Sequence, residues 1–385
     1  VADVREGTFT SQHFALAARE MNAEVSDFTL RSTQYKTVAF SARNVSSSVN
    51  YDTRRADLQA KQGPVHSDLQ LVQYEAWADR FSWEMDRKEL TLANSARGTS
   101  EGLDALELRL RLPKAGDMPG VRFTSTDPAR KKLGFNSLLS TYKYNVGELS
   151  SQGVFLVSVA DAAIAPAADT LHISKGGEMR VLNNAQVVFN RDSAYHYLVG
   201  ADLIVASSEN FSGKGYYDFH NDQEKAQRIF MKNIEVKNGV TMASGDINAE
   251  QTFTLSSAFG FAGKVRLEGN KRWPWLEGGV RLIQPCIPEA QLGLLAYADY
   301  TDPEHVHVTV PELPTDWKGN RITASVIMDK STLRPHAAFL TNEKVADNEL
   351  LSAHGVLTYL GDRKQYMIGS EAKVSDPDGI VEPYL

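Results

Sequence analysis

The sequence has one cysteine, no long apolar run and no basic cluster, and each of these shortages excludes a class of protein. Cys286 cannot form a disulfide within the chain, so other interactions must hold the fold together. No apolar run approaches the roughly 18 residues that a membrane-spanning helix needs. With a formal net charge of −7 and no Lys/Arg-rich run, a nucleic-acid or anionic-membrane partner receives no electrostatic support.

What is present is the composition of a large folded protein. Hydrophobic residues make up 42% and charged residues 23% of the 385 positions, close to the averages of globular proteins, so we expect no general disorder. That length is sufficient for one elongated body or for about two to three domains. The chain begins with Val1 and lacks the charged and apolar regions of a signal peptide, so we expect it to be a processed or excised piece of a larger protein.

The dominant pattern is an alternation of apolar and polar residues with a period of two, which predicts strands with one buried face. Its examples include Val38-Phe40-Ala42, Phe81-Trp83-Met85, Phe155-Val157-Val159 and Ile322-Ala324-Val326-Met328. The longest run predicts that Tyr197, Val199 and Leu203 share one buried face. Helical periodicity is scarce. The sequence therefore predicts an all-β fold, either an elongated repetitive β-solenoid or open β-jellyroll or a stacked antiparallel sandwich, with a smaller β-rich C-terminal domain.

Asn and Asp residues at the ends of strands suggest an internal repeat. These residues tolerate the positive φ that tight turns require. Asp52 and Asp86 are 34 positions apart, and Asn190 and Asn221 are 31 positions apart. This spacing predicts a three-strand unit that is stacked repeatedly, with a sandwich of long antiparallel hairpins as the alternative.

Two proline-containing stretches indicate where the chain divides. They are Pro113 to Pro119 and Gln284 to Pro288, and paired prolines interrupt a strand ladder. We therefore predict N-terminal β repeats over residues 1–112, central stacked β repeats over 113–286 and a C-terminal β domain over 287–385.

Several stretches resemble parts of very large, uncharacterised β-rich envelope proteins of Bacteroidetes. They are Gln73 to Ala76, Arg80 to Asp86, Phe123 to Pro128, Val157 to Ala162, Gly215 to Phe219 and Phe261 to Val265. The likeness covers about residues 70 to 285 and is weaker beyond. It implies an extended β architecture and a bacterial cell-envelope location, in the periplasm, the outer membrane or at the cell surface, and it carries over no catalytic residue.

A more distant similarity is to the OstA-type repeats of lipopolysaccharide-transport proteins. It rests on Asn184 to Asn190 and Gly200 to Val205. In that family short strands stack into an open, V-shaped β-jellyroll, which would leave an apolar lining for acyl chains. The lining candidates here are Val187, Phe189, Leu203, Val205, Phe219, Phe261 and Val265.

His305 and His307 form the best candidate metal site. Histidines two positions apart on a strand point to the same face, and Asp302 and Glu304 lie close by in the sequence. A zinc site needs about three or four ligands, and the spacing fixes no third one. An exposed strand face with polar residues is therefore the favoured interpretation.

The group Asp329, Lys330, Ser331 and His336 contains the residue types of a nucleophile and its base. An activated serine needs a base within hydrogen-bond reach and a third group that orients the base. The sequence has no Gly-x-Ser-x-Gly elbow here, so a loop between strands is favoured.

Three further patterns have structural explanations that compete with chemical ones. They are the carboxylate pairs Glu101/Asp104 and Glu209/Asp218, the stretch Gly213-Lys214-Gly215, and the aromatic group Trp273, Trp275, Tyr297, Tyr300 and Trp317. Carboxylate pairs are expected by chance among 48 acidic residues. The Gly-Lys-Gly stretch lacks the spacing of a phosphate loop and indicates close backbone approach. The aromatic rings either stack on sugars or cover the core.

Taken together, these patterns predict a non-catalytic, extended β-structural or interaction module of the bacterial cell envelope. No catalytic, cofactor-binding or metal-binding residue is expected. The alternatives are a lipid or glycolipid conduit of the OstA-like type and a carbohydrate-binding surface protein. The expected partners are other envelope proteins or the remaining parts of a larger chain, with lipid or glycan as further candidates and nucleic acid excluded.

The alternation predicts a far-UV circular dichroism spectrum dominated by β structure, because strands should outnumber all other elements. The purified chain should show one broad minimum of the β type. Strong paired helical minima would contradict the all-β assignment.

Overall fold

The protein is nearly all β, as its sequence predicts. The computed structural model describes residues 1–95, 118–283, 293–343, 348–361 and 363–375, with 61% of residues in strands and 4% in helices. Among these described residues, no helix combines the length and apolarity needed to cross a membrane. The predicted domain boundaries at residues 112 and 286 lie outside the described residues.

The first twenty strands lie between Ala2 and Ser207. They are β1 (Ala2–Val4), β2 (Gly7–Thr10), β3 (Ala15–Leu16), β4 (Glu20–Ser32), β5 (Thr37–Asn50), β6 (Arg55–Ala60), β7 (Val65–Leu69), β8 (Tyr74–Ala78), β9 (Arg80–Glu84), β10 (Glu89–Ala93), β11 (Val121–Ser125), β12 (Gly134–Ser137), β13 (Leu139–Lys143), β14 (Glu148–Gln152), β15 (Val157–Val159), β16 (Ala162–Ala165), β17 (Thr170–Ser174), β18 (Glu178–Met179), β19 (Leu182–Phe189) and β20 (His196–Ser207).

The remaining strands and a short helix follow. They are β21 (Asn210–His220), β22 (Ala226–Lys237), β23 (Val240–Ile247), β24 (Phe259–Glu268), β25 (Trp275–Leu282), β26 (Leu295–Tyr300), β27 (Val308–Val310), β28 (Thr323–Met328), β29 (Pro335–Thr341), β30 (Glu349–Ser352), β31 (Gly355–Leu360), β32 (Gln365–Gly369) and α1 (Glu371–Ser375). Single 3₁₀ turns cover Gln70–Val72, Pro128–Arg130 and Ala167–Asp169.

The chain forms two compact units. Unit one comprises Val1–Gly215 and Asn233–Met242, and unit two comprises Tyr216–Lys232 and Ala243–Leu385. Each unit is built from antiparallel strand pairs.

In unit one, successive hairpins join alternate ladders of paired strands. Ladder one consists of the hairpins β7–β8, β11–β12 and β15–β16, and each hairpin pairs with the next one in this order. Ladder two grows by β9–β10, β13–β14 and β17–β18, likewise paired in order. Both ladders start from β5, whose residues 40–42 pair with β7 and whose residues 45–50 pair with β6.

The core of unit one lies between the two ladders. Phe40 on β5 packs against Phe81 on β9, with 5.6 Å between the ring centroids, and both side chains are buried. The Tyr142 hydroxyl on β13 donates a hydrogen bond of 3.2 Å to the carbonyl of Ala39 on β5. Because the apolar faces of the ladders cover each other in this way, unit one is a two-layered antiparallel β stack, which fits both a sandwich and an open solenoid.

The spacing of Asp52 and Asp86 corresponds to a repeat of four strands rather than the predicted three, whereas only β20 and β21 separate Asn190 from Asn221. Residues 51–54 and 85–88 form two four-residue hairpin turns that contain Asp52 and Asp86. Each turn ends on a residue with positive φ, 51° at Arg54 and 55° at Lys88. The strands β6, β7, β8 and β9 lie between these turns. A four-strand unit is needed because each repeat contributes to both ladders.

The long strands of unit one are bent at asparagines in the left-handed conformation. Asn44 on β5 has φ of 58°, and its N–H donates to the carboxylate of Asp27 on β4 over 3.1 Å. Asn184 on β19 has φ of 55°, and its N–H points to the carboxylate of Asp202 on β20 over 3.4 Å. We call these two pairs the Asn–Asp clasps. Asparagine tolerates this backbone better than other non-glycine residues.

The predicted buried face of β20 is wrong for its first half. His196 and Leu198 are buried there, whereas Tyr197 and Val199 lie on the opposite, more accessible face. Gly200 has φ of 59°, and the register between β19 and β20 shifts over this region. A bulge moves the side chains that follow to the other face, so Leu203 is buried while Val199 is not.

After β23, the described residues of unit two form three antiparallel ladders. β24, β25 and β26 form one antiparallel ladder, β29–β28–β30 a second and β27–β31–β32 a third. Inward residues of the first include Phe261, Val265 and Leu276, all buried. The predicted β-rich character of the C-terminal region is confirmed for the residues described.

Leu203 and Ile204 provide a matched test of the side-chain phase in β20. Leu203 is 0% exposed and its neighbour Ile204 is 57% exposed. Leu203→Asp should lower the free energy of unfolding by roughly 3–5 kcal/mol, because an unpaired carboxylate would be buried. Ile204→Asp should change it by less than about 1 kcal/mol. Urea denaturation of both variants is the measurement, and equal losses would contradict the assigned phase.

Candidate functional site

The candidate metal residues lie on an exposed loop before β27. The side chains of Asp302, Glu304 and His305 come within 4.8 Å of one another, and His307 is not part of that group. One Asp302 oxygen accepts the Glu304 backbone N–H at 3.0 Å, and the other lies 3.2 Å from His305 Nδ1. This is the geometry of an Asx turn closed by a surface ion pair, which accounts for the cluster without a metal.

The structure does not bring Ser331 and His336 together as a nucleophile and its base. The Ser331 hydroxyl donates to Asp329 at 2.6 Å, within the same turn. His336 Nε2 lies 3.1 Å from a carboxylate oxygen of Glu343. Each side chain is therefore engaged by a different carboxylate; Ser331 lies in a turn between strands, as predicted, whereas His336 lies in β29.

Asp329 itself is a strong turn former. Its carboxylate accepts the Ser331 hydroxyl and the backbone N–H groups of Ser331 and Thr332. These hydrogen bonds lower the pKa of Asp329 from 3.8 to about 2, and the bond from the Ser331 hydroxyl has the largest effect. Hydrogen bonds to the charged form of a carboxylate favour that form.

Of the candidate carboxylate pairs, only Glu209 and Asp218 lie within the described residues, and basic side chains engage both. Glu101 and Asp104 lie outside the described residues. Glu209 forms an ion pair with Lys131. Asp218 accepts two hydrogen bonds from the Arg228 guanidinium, at 2.7 and 2.8 Å, and these lower its pKa.

The Gly213-Lys214-Gly215 stretch lies within β21, not in a phosphate loop. A Cβ atom on Gly213 would lie 2.1 Å from the backbone oxygen of Asp202 on β20. The predicted close approach of two backbones is therefore present at this position, and it explains the glycine.

The residues that would line a lipid conduit are all buried. Val187, Phe189, Leu203, Val205, Phe219, Phe261 and Val265 are each at most 2% exposed. Their side chains belong to the packed interior of the unit in which each lies.

The aromatic group divides into rings with different surroundings. Tyr297 is buried, and its hydroxyl pairs with Thr301 at 2.9 Å. Trp273 packs beneath the Arg272 guanidinium, 4.6 Å from the ring centroid. Trp317 is 39% exposed at the edge of a depression on the outward face of β24, β25 and β26. The sequence identified these rings, but only the fold shows which of them is accessible.

The Asp329 turn gives a test by NMR. The carboxyl resonance of Asp329 should titrate with a midpoint near pH 2, and Ser331→Ala should raise that midpoint towards 3.8 because the first of its hydrogen bonds is lost. The depressed pKa means that the turn is favoured above the ordinary pKa and loses this contribution as pH falls through about 2. An unchanged midpoint in Ser331→Ala would contradict the assignment.

Comparison with known proteins adds no further constraint on the site. No protein-family model, no curated protein and no solved structure matches this chain.

Proposed function

We propose that this chain is a non-catalytic, extended β-structural and interaction module of the bacterial cell envelope. The observation that carries the proposal is the alternation of hairpins between the two ladders of unit one. Each four-strand repeat adds one hairpin to each ladder, so the stack grows in length with every repeat. Such growth is the property of a spacer or scaffold.

Contacts between turns of different repeats support a mechanical role. Asp86 accepts hydrogen bonds from Arg5 at 2.6 Å and from Arg54 at 3.2 Å, which joins three separate turns. The Asn145 side-chain oxygen accepts from the backbone N–H groups of Thr33 and Gln34 at 3.0 and 3.2 Å. These hydrogen bonds between turns at the strand ends oppose the sliding of one hairpin along the next.

The outward face of ladder two supports an exposed, soluble body. One cross-strand row consists of short polar or charged side chains, namely Asn22, Ser48, Asp57, Ser82, Thr91, Thr141, Ser150 and His172. The Ser82 hydroxyl donates to Asp57 at 2.8 Å, and Ser150 pairs with His172 at 3.0 Å. Polar rows of this kind face water, while the opposite face forms the core.

The envelope location and the partners come from the Bacteroidetes resemblance. On that basis the partners are other envelope proteins or the remaining parts of a larger chain, and the net charge of −7 argues against nucleic acid. The burial of all seven lining candidates favours the scaffold over the lipid conduit.

Complementation in the encoding bacterium tests the proposal. A gene carrying His305→Ala, His307→Ala, Ser331→Ala and His336→Ala should restore envelope integrity, measured as growth in detergent, as well as the unaltered gene does. Leu203→Asp should fail, because a scaffold depends on its core. The chain should also fractionate with the envelope.

Two results would overturn this function. One is failure of the fourfold variant with an unchanged melting temperature, which would point to chemistry at these residues. The other is a chain that fractionates entirely with the cytosol.

A further inference from the structure

A depression of about 500 Å³ lies on the outward face of the ladder β24–β25–β26. Its lining includes Lys264, Glu277, Ala296, Ala298 and Trp317. Gly279 lies on the outward face beside it, where a Cβ atom would lie 2.7 Å from the Cβ of Leu294, so no larger residue fits at that position.

Trp317 stands at one end of the depression and is held there by its own loop. Its backbone N–H donates to the Leu294 carbonyl at 3.0 Å. Its Cγ atom lies 3.2 Å from the position of a Cβ on Gly279, so the ring rests against a strand that has no side chain there. Asp316 fixes the turn by accepting the N–H groups of Lys318 and Asn320, at 2.9 and 2.7 Å. The loop that carries the indole is thus fixed by hydrogen bonds, while 39% of Trp317 stays exposed.

Lys264 and Glu277 supply polar groups that other contacts do not occupy. They are directly opposite each other on β24 and β25. Within the described part of the chain, neither side chain forms a hydrogen bond or an ion pair, although the nearby Arg266 does so with Glu268 at 2.8 Å. An ammonium group and a carboxylate therefore remain available over the depression.

Further aromatic rings lie on the same face, in the cross-strand row next to that of Lys264 and Glu277. Trp275 is opposite both Arg266 and Tyr300, and its ring centroid lies 5.0 Å from that of Tyr300. Because side chains on one face recur every second residue, Trp275, Glu277 and Gly279 share this face. The four-residue step from Gly279 to Trp275 spans about 13 Å at the strand rise of about 3.3 Å per residue.

We propose that this depression is a binding site for a neutral oligosaccharide, a segment of a longer polysaccharide. A pyranose ring offers an apolar C–H face that stacks on an exposed indole, and hydroxyl groups that both donate and accept hydrogen bonds. Trp317 meets the first need, and Glu277 and Lys264 meet the second as acceptor and donor. One positive and one negative group favour an uncharged ligand. The site goes beyond the scaffold function and does not depend on it.

The test begins with affinity gel electrophoresis of the intact chain in gels that contain dextran, mannan, β-glucan or galactomannan. At least one of these neutral polysaccharides should retard the chain. Calorimetry with oligosaccharides of the retarding polymer then gives dissociation constants. Trp317→Ala should weaken binding at least tenfold, and Glu277→Gln or Lys264→Gln severalfold, because each removes one recognition element.

Trp273→Ala is the matched control, since it also removes an indole from unit two but lies outside the lining. It should leave the dissociation constant unchanged. Glu277→Gln and Lys264→Gln alter exposed side chains and should retain the melting temperature, which keeps the test valid if Trp317→Ala destabilises the fold. The proposal is wrong if no polysaccharide retards the chain, if binding survives both Trp317→Ala and Glu277→Gln, or if Trp273→Ala weakens binding as much as Trp317→Ala.

Discussion

The structure of unit one depends on one constraint, which is that each hairpin has an apolar face that only the other ladder can cover. A hairpin alone in water is at best marginally stable. Consecutive hairpins meet the constraint by joining alternate ladders, so neither ladder outgrows the other. The contact between Phe40 and Phe81 and the hydrogen bond from Tyr142 to Ala39 show the two faces meeting across the core.

The constraint also explains the long bent strands. β5 belongs to both ladders, so its backbone has to turn out of the direction of one ladder and into that of the other. The Asn–Asp clasp at Asn44 occurs between the residues that pair with β7 and those that pair with β6. A left-handed residue changes the strand direction, and the Asp27 carboxylate satisfies an N–H group that the bend removes from the ladder.

Much of this fold could be predicted from the sequence because strand alternation and turn residues are local properties. The 34-residue spacing of Asp52 and Asp86 corresponds to two equivalent turns. The number of strands in the repeat was not predictable, since pairing between ladders leaves no local pattern. The predicted buried face of β20 was wrong before Gly200, because the positive φ of this residue exchanges the buried and exposed faces of the strand. The candidate site shows the same limit, because the aromatic residues are visible in the sequence but the exposure of Trp317 depends on Gly279, a residue far along the chain.

The alternating hairpins also determine the order in which the sandwich can assemble. Most strands of unit one pair with a strand of the same hairpin or of the hairpin after next, so strand pairing extends the stack stepwise along the sequence. The chain can therefore assemble unit one progressively from one end. Each new hairpin then pairs with strands that are already folded. The same property limits damage, because a hairpin that opens exposes only its immediate neighbours.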